Sequence, residues 1–189
     1  MSSFFTRTTT KDVVYIALFA ALTAALGLFP PISVPLVGIP VTAQSMGMML
    51  AGALLGAKRG GLSMLLIVLL VAIGLPILAG GRGGLGVFFG PTAGFLLSWP
   101  LAAAVIGVLH ERAWKTINPF KSFLFCFLGG IVVSYAVGVP WASVNTGLSL
   151  METATGSLAF VPGDMLKAVL TALAVVTIRR AFPGLHQTA

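Results

Sequence analysis

The sequence predicts an all-α integral membrane protein built as a bundle of six transmembrane helices. Of its 189 residues, 58% are hydrophobic and only 8% are charged, and the mean hydropathy is +1.06. A membrane crossing takes about 20 predominantly apolar residues, so a chain of this length holds roughly six short spans with tight connections. We therefore expect one transmembrane domain over residues 1–189, with little mass outside the bilayer.

Uncharged runs and turn signals place the spans. The first run, residues 13–57, is 45 residues long and has to cross twice. Four prolines from Pro30 to Pro40 remove backbone donors and forbid a continuous helix there. Gly60-Gly61 and Asn118-Pro119 supply further turn signals. The predicted helices lie near residues 12–29, 44–57, 60–78, 91–110, 122–140 and 161–181.

The basic residues predict which way the bundle faces, because Lys and Arg concentrate in cytoplasmic loops. With six spans, nine of the eleven basic residues fall on the side that holds both termini: Arg7, Lys11, Lys58, Arg59, Arg112, Lys115, Lys121, Arg179 and Arg180. We therefore expect cytoplasmic N- and C-termini in a multi-pass protein of the cytoplasmic (inner) membrane. Arg82 and Lys167 remain on or toward the external side, against the trend.

The same charge pattern bears on two alternatives. The net charge of +7 follows from membrane orientation, and no basic run is interleaved with aromatic residues as a nucleic-acid surface would need. A cleavable signal peptide, with residues 13–27 as its apolar core, is the alternative for the N-terminus. Its removal would leave five spans and spoil the charge pattern, so we expect a transmembrane helix instead.

The strongest functional signal is the pair Asp164 and Lys167 inside an otherwise apolar span, residues 160–178. An ionisable group at mid-membrane costs about 2.5–3.5 kcal/mol even on lenient insertion scales. Because positions i and i+3 share a helical face, both side chains can enter one cavity and present an acceptor beside a donor. The pair predicts a site for a small polar molecule; a self-neutralising bridge is an equal alternative from physics alone.

Other candidates flank the pair. Arg82, in a Gly-rich external loop, is a gate or an anion partner, with a solvated loop charge as the alternative. Gln44 offers an amide suited to a urea-like ligand, with helix capping as the alternative. Aromatic residues near the external loops form either a pocket wall or an interfacial belt: Phe88, Phe89, Phe95 and Trp141.

Ala17, Ala21 and Ala25 recur every four residues in the first helix. Faces of this kind allow another helix to approach closely in lipid. Spacing alone favours contact within the bundle over contact with a partner.

The sequence argues against an enzyme and against a resident cofactor or metal. The match Gly81–Gly86 to G-x-G-x-x-G follows a predicted membrane helix, whereas a dinucleotide site needs a preceding strand. No P-loop occurs, so ATP would have to be bound by another subunit. Cys126 is the lone cysteine, and His110 and His186 lie at predicted internal helix ends. The chain is interpreted as a binder or carrier; a non-transporting structural or assembly protein is the competing class.

Four segments together carry a family pattern. They are residues 39–44 (IPVTAQ), the loop 80–86, residues 90–95 (GPTAGF), and residues 160–164 (FVPGD) with Lys167. The whole chain resembles the BioY family, the biotin-specific substrate-binding S components of energy-coupling factor (ECF) transporters. At Ala93 and Phe95 the family usually has glycine and tyrosine, so the ligand hydrogen bond of that phenol is missing here while ring contact is retained.

The resemblance implies a six-helix bundle that captures biotin from outside and docks on a transmembrane coupling (T) protein attached to a pair of ABC-type ATPases. It also implies that Ala17, Ala21 and Ala25 form the docking face. Uptake by the chain alone or by a homo-oligomer is the alternative. The ureido ring of biotin matches the acceptor and donor of Asp164 and Lys167, and its carboxylate pairs with Lys167 or, ranked second, with Arg82.

Overall fold

The computed structural model describes residues 9–33 and 40–182, which are almost entirely helical. Arg7, Ile39 and His186, which entered the sequence argument, lie outside these ranges. The helices are α1 (Thr10–Leu26), α2 (Gln44–Ala72), α3 (Ala93–Ala113), α4 (Pro119–Phe127), α5 (Ser134–Thr146), α6 (Leu150–Ser157) and α7 (Val161–Ala181). Two short strands, β1 (Ile32–Ser33) and β2 (Pro40–Val41), pair antiparallel between α1 and α2.

Helix α1 begins with a capping box. The Asp12 amide donates to Thr9 Oγ1 at 3.3 Å, and the Thr9 amide donates to Asp12 Oδ2 at 2.7 Å, so two otherwise unpaired donors are satisfied. The helix ends at Leu26, three residues before the predicted end, and Gly27 follows it. A Cβ at Gly27 would lie 2.6 Å from Ile77 O and 2.7 Å from Gln44 Nε2. Glycine therefore lets two other segments reach the end of α1.

Helix α2 folds back on itself at Gly56, whose backbone leaves the helical region at φ 83° and ψ −177°. A Cβ at Gly60 would lie 2.8 Å from Ala51 O, whereas residues nine apart on a straight helix are about 13.5 Å apart along its axis. The predicted helices 44–57 and 60–78 thus correspond to two arms, 44–56 and 57–72. The predicted turn at Gly60-Gly61 was wrong, because Gly60 serves the close approach of the arms and Gly56 makes the reversal.

Glu111 supports the reversal from helix α3. Its Oε1 accepts a hydrogen bond from the Ala57 amide at 2.8 Å, which caps the second arm of α2. Nearby glycines keep α2 and α3 in close contact. A Cβ at Gly52 would clash with the carbonyl of Ala103, and one at Gly107 with the backbone of Ala57.

Helices α4 and α5 are one continuous helical stretch from Pro119 to Thr146, joined by a π-helical turn at Leu128–Val133. Asn118 caps its start by accepting from the Lys121 amide at 2.8 Å. The stretch extends beyond the predicted 122–140 at both ends. Helix α7 begins at the predicted residue 161, but α6 and a 3₁₀ segment, Leu158–Phe160, run directly into it.

In the described residues, four helical stretches are long and apolar enough to cross a membrane: Gln44–Ala72, Ala93–Thr116, Pro119–Thr146 and Leu150–Ala181. The first is the folded-back α2. Helix α1 is shorter, at 17 residues, and buries only Ala20 and Thr23 among its residues. The core lies between α2 and α3 and includes Met48, Met49, Met64, Ile67 and Ile106, all fully buried.

Candidate functional site

A cavity opens between the start of α2, the loop before α3, and helices α3, α5 and α7. The cavity has a volume of about 100 Å³. The exposed area of its walls is mostly apolar, although ten of the sixteen lining residues carry a polar side-chain group. The lining residues are Thr42, Gln44, Ser45, Leu78, Arg82, Val87, Thr92, Phe95, Leu96, Trp99, Gly130, Ser134, Tyr135, Phe160, Asp164 and Lys167.

The charged pair of α7 forms one wall of this cavity. Lys167 Nζ donates to Asp164 Oδ1 at 2.7 Å, to the Thr42 carbonyl at 2.7 Å and to Ser45 Oγ at 2.8 Å. An ammonium group has three donors, so each of them has an acceptor. Asp164 is only 8% exposed. The pair is therefore both a bridge from α7 to the start of α2 and a polar patch on the cavity wall.

Tyr135 completes the carboxylate's set of donors. Its hydroxyl donates to Asp164 Oδ2 at 2.7 Å, while Ser45 Oγ lies 3.3 Å from Oδ1. Tyr135 comes two residues after the π-helical turn, which changes the register of the helix faces, and such turns are frequent at functional sites. Within that turn Gly130 lines the cavity and lies against Met49.

Aromatic rings form the apolar part of the wall. Phe95 meets Tyr135 edge to face, with ring centroids 5.6 Å apart and planes at 90°. Gly138 lies directly against the Phe95 ring, where any Cβ would clash. Trp99, one helical turn after Phe95, and Phe160 also line the cavity. This arrangement gives a small organic ring flat apolar surfaces to contact.

Arg82 also lines the cavity and belongs to the loop between α2 and α3. Its Nε donates to the Ala79 carbonyl at 3.2 Å, and Nη1 lies 3.5 Å from Thr92 Oγ1. In the described part of the chain it has no carboxylate partner. Since Asp164 and Lys167 cancel each other, Arg82 leaves the cavity lining with one positive charge in excess.

Gln44 lines the cavity, but its amide is occupied by the protein. Nε2 donates to the Ile77 carbonyl at 2.9 Å and to the Thr23 carbonyl at 3.2 Å, and Oε1 accepts from the Ala79 amide at 2.8 Å. The side chain is 1% exposed. It does not cap α2. Gln44 instead ties together α1, the start of α2 and the loop that follows α2.

Phe89 and Trp141 are not among the cavity-lining residues. Phe89 ends a 3₁₀ segment, Leu85–Phe89, and is 80% exposed, while Val87 of the same segment reaches the cavity. The Trp141 indole donates to the Gly90 carbonyl at 3.1 Å, and its side chain lies against Gly94. Trp141 therefore supports the start of α3 from outside the cavity.

The alanine face of α1 points outward. Ala17, Ala21 and Ala25 are all exposed, next to exposed Leu18 and Leu22. This differs from the contact within the bundle that spacing alone favoured, since no helix among the described residues covers the three alanines.

The described residues contain no cluster of His, Cys, Asp and Glu that could hold a metal ion. His110 is buried, with Nδ1 2.9 Å from the Ile106 carbonyl and Nε2 2.8 Å from Ser122 Oγ. Cys126 is buried as a free thiol. The Gly81–Gly86 segment follows helix α2 and leads into a 3₁₀ turn, which is not the strand and helix of a dinucleotide site.

Comparison with known proteins decides the family. A family model described as the BioY family matches residues 1–184. This chain belongs to the BioY family. It is 48% identical over 179 residues to the biotin transporter BioY of Rhizobium etli, with 92% of this chain and 96% of that protein covered. It is 47% identical over 183 residues to the biotin transporter BioY of Rhodobacter capsulatus, with the same coverage of each chain.

A solved member of the same architecture extends the match to three dimensions. The chain aligns with the crystal structure of the S-component for biotin from an ECF-type ABC transporter at a TM-score of 0.87 and 32% identity. The alignment covers 94% of this chain and 95% of that one. The suspected membership is thus confirmed, and BioY proteins are transport proteins rather than enzymes.

Sequence reasoning about this BioY chain did not assign six cavity residues that bear polar groups to the site: Thr42, Ser45, Thr92, Trp99, Ser134 and Tyr135. Two signals were available. Trp99 follows Phe95 by four residues and so shares its helical face. Ser134 and Tyr135 are adjacent polar groups inside an apolar span, which is a functional signal in membrane helices.

Proposed function

We propose that this chain captures biotin from outside the cell as the substrate-specific component of an ECF-type transporter. The observation that carries the proposal is the cavity itself. It combines a buried carboxylate and ammonium pair, aromatic walls and one excess positive charge from Arg82. Biotin offers the complement: a ureido ring, an apolar fused ring and a single carboxylate.

The ureido ring fits the Asp164 end of the cavity. Its N–H groups are donors for the Asp164 carboxylate, and its carbonyl is an acceptor for Lys167. Both side chains already have protein partners, so the ligand would exchange with Ser45, Thr42 or Tyr135 rather than fill empty positions. Such an exchange keeps the pair neutral and hydrogen-bonded before and after binding, which avoids an unpaired buried charge.

The biotin carboxylate fits Arg82 better than Lys167. All three Lys167 donors are directed at protein acceptors, whereas the Arg82 guanidinium makes one contact at 3.2 Å and one at 3.5 Å. A guanidinium also matches a carboxylate in a two-bond geometry. This ranking reverses the order given by the sequence.

Transport would involve partners at α1. We propose that the exposed Ala17, Ala21 and Ala25 face docks on a transmembrane coupling protein driven by a pair of ABC-type ATPases. Small exposed residues allow close helix contact in lipid, where no hydrophobic force drives helices together. The solved S-component of an ECF-type ABC transporter, which this chain resembles over nearly its full length, supports a partner of this kind.

We further propose six crossings with both termini cytoplasmic. The fold supports the count, because α2 reverses at Gly56 into two arms, which with α1, α3, the α4–α5 stretch and α7 give six helical segments. The arms are short, about 20 and 24 Å at 1.5 Å per residue. The helix ends that carry Arg59, Lys115 and Arg179 would then lie on the cytoplasmic side of the inner membrane.

Calorimetric titration of the detergent-purified chain with biotin tests the proposal. We expect one-to-one binding without any partner protein. Asp164→Asn and Lys167→Met should abolish the binding heat while the protein stays folded. Glu152→Gln is the matched control, because Glu152 is an exposed acid in a capping box that glutamine can also form. Absence of heat and of thermal stabilisation in the folded wild-type chain would reject biotin as the ligand.

A further inference from the structure

One end of the bundle carries four basic residues, none of which forms an ion pair within the described residues. Arg179 donates from Nη1 to the Ile117 carbonyl at 2.8 Å and from Nη2 to the Lys115 carbonyl at 2.5 Å. Lys121 Nζ lies 3.3 Å from Thr116 Oγ1 and 3.4 Å from its carbonyl. These contacts bring the end of α7 onto the turn between α3 and α4. We name Lys115, Lys121, Arg179 and Arg180 the basic cluster.

Within residues 9–33 and 40–182, no side-chain carboxylate forms an ion pair with this charge. The sequence has four acidic residues, and all lie in the described ranges. Asp12 pairs with Arg59, Asp164 pairs with Lys167, and neither ion pair includes the cluster. Glu111 accepts from the Ala57 amide, and Glu152 caps α6. The partners of Arg179 and Lys121 are neutral carbonyl and hydroxyl oxygens, which leave the positive charge in place.

An exposed apolar stripe leads to the cluster along each of two contacting helices, α4 and α7. On α7 the exposed residues Leu166, Leu170 and Leu173 follow the i, i+4, i+7 spacing of one face, and exposed Arg180 continues that face two turns later. On α4 the exposed Phe120 and Leu124 lie four residues apart on one face, next to Lys121. Positive charge at the end of an apolar stripe matches a molecule with an anionic head and hydrocarbon chains.

We propose that the basic cluster and the two stripes bind an anionic phospholipid, with its phosphodiester on the cluster and its acyl chains along α4 and α7. Basic pockets between helices at a membrane surface recognise lipid head groups in this way. The apolar stripes favour a lipid over an acidic protein segment, because a protein segment would leave them uncovered. The site is separate from the cavity at Asp164, and it does not require the proposed biotin function.

The test is thermal unfolding of the delipidated full chain with three probes: phosphatidylglycerol, phosphatidylcholine with the same acyl chains, and inorganic phosphate. We expect phosphatidylglycerol alone to raise the midpoint clearly, and native mass spectrometry to show it retained. Lys115→Gln with Arg180→Gln should weaken the apparent affinity by roughly 25-fold, from about fivefold per basic residue. Lys11→Gln is the matched control for Arg180→Gln, since both residues are exposed at helix ends but only Arg180 belongs to the basic cluster.

Each contrary outcome overturns the proposal. Equal stabilisation by the two lipids would mean that the head-group charge is not recognised. Full stabilisation by inorganic phosphate would assign the cluster to a free anion rather than to a lipid. An equal loss in the Arg180→Gln and Lys11→Gln variants would show that general surface charge, and not this cluster, attracts the lipid. Strong salt dependence is expected for head-group binding, and its absence would likewise contradict it.

Discussion

Tyr135 and Asp164 are joined by a 2.7 Å hydrogen bond, in which the phenol donates to Oδ2, the carboxylate oxygen that Lys167 does not contact. The bond links α5 to α7 in the cavity wall, at the residue where the ureido ring of biotin is proposed to bind. A bound ligand would either leave this hydrogen bond in place or displace the Tyr135 hydroxyl from Asp164. Its removal therefore distinguishes two binding geometries.

Tyr135→Phe should lower the unfolding midpoint of the ligand-free chain, because a hydrogen bond to a charged group contributes about 1.5–3 kcal/mol. If a ureido N–H takes the place of the phenol at Oδ2, the stabilisation by biotin should be as large as in the wild type or larger. Thermal unfolding with and without biotin measures both quantities. A variant that folds but is no longer stabilised by biotin would show that Tyr135 itself holds the ligand.

Arg82→Gln should weaken biotin binding by roughly 10- to 100-fold, the equivalent of about 1.5–3 kcal/mol for a charge-assisted bond. The same variant should bind biotin amide, which lacks the carboxylate charge, as well as the wild type does. Calorimetry with the two ligands separates the effects. If Arg82→Gln weakened both ligands equally, the carboxylate would belong elsewhere, with Lys167 as the next candidate.

Gln44→Leu should destabilise the fold by about 2–4 kcal/mol, because the Thr23 and Ile77 carbonyls and the Ala79 amide would lose their partner in a buried position. Thermal unfolding is the measurement. Asn145→Leu is the matched control, since Asn145 is an exposed amide with one bond to Trp141. Loss of biotin binding at unchanged stability would instead assign the Gln44 amide to the ligand.

Gly56→Ala should be among the most destabilising glycine substitutions in the chain. Gly56 has φ 83°, which costs a residue with a Cβ about 1–2 kcal/mol of backbone strain. A Cβ there would also collide with the Glu111 carboxylate, so the hydrogen bond that caps at Ala57 would be lost. Two controls separate the terms. Gly84 has the same φ but open space, and Gly86 has open space without a positive φ. We expect the unfolding midpoint to be lowered least by Gly86→Ala, more by Gly84→Ala and most by Gly56→Ala. Equal effects at Gly84 and Gly56 would show that the Glu111 contact does not contribute.

Replacing Ala17, Ala21 and Ala25 with leucine should stop biotin uptake in cells that hold the complete transporter, while the purified chain still binds biotin. The larger side chains would prevent close contact with a partner helix. Ala136→Leu is the control, because Ala136 is an exposed alanine on α5. Uptake at the wild-type level in the triple variant would exclude this face as the docking surface.

The sequence predicted what depends on composition and on local spacing. Asp164 and Lys167 were placed together because residues three apart share a helical face. Asn118-Pro119 was predicted as a turn before a helix near residue 122, and the helix begins at Pro119 itself, with Asn118 as its cap. Features that depend on distant segments were missed. The reversal was assigned to Gly60 although Gly56 makes it, since both are glycines and only the Glu111 contact distinguishes them.

The same reason explains the site. Gln44 was predicted to face the ligand, but its amide is taken by carbonyls and an amide from residues 23, 77 and 79, which no local pattern reveals. Tyr135 was missed because its direction depends on the π-helical turn at Leu128–Val133, and a π turn has no simple sequence signature.

Helix α1 is fastened to α2 at three heights: Arg59 pairs with Asp12, Ser63 donates to the Ile16 carbonyl at 3.0 Å, and Gln44 donates to the Thr23 carbonyl at 3.2 Å. Gln44 and its neighbour Ser45 also line the cavity. If the proposed coupling protein displaced α1, one wall of the cavity would therefore move with it. The helix proposed to dock on a partner and the wall proposed to contact biotin are thus joined through α2.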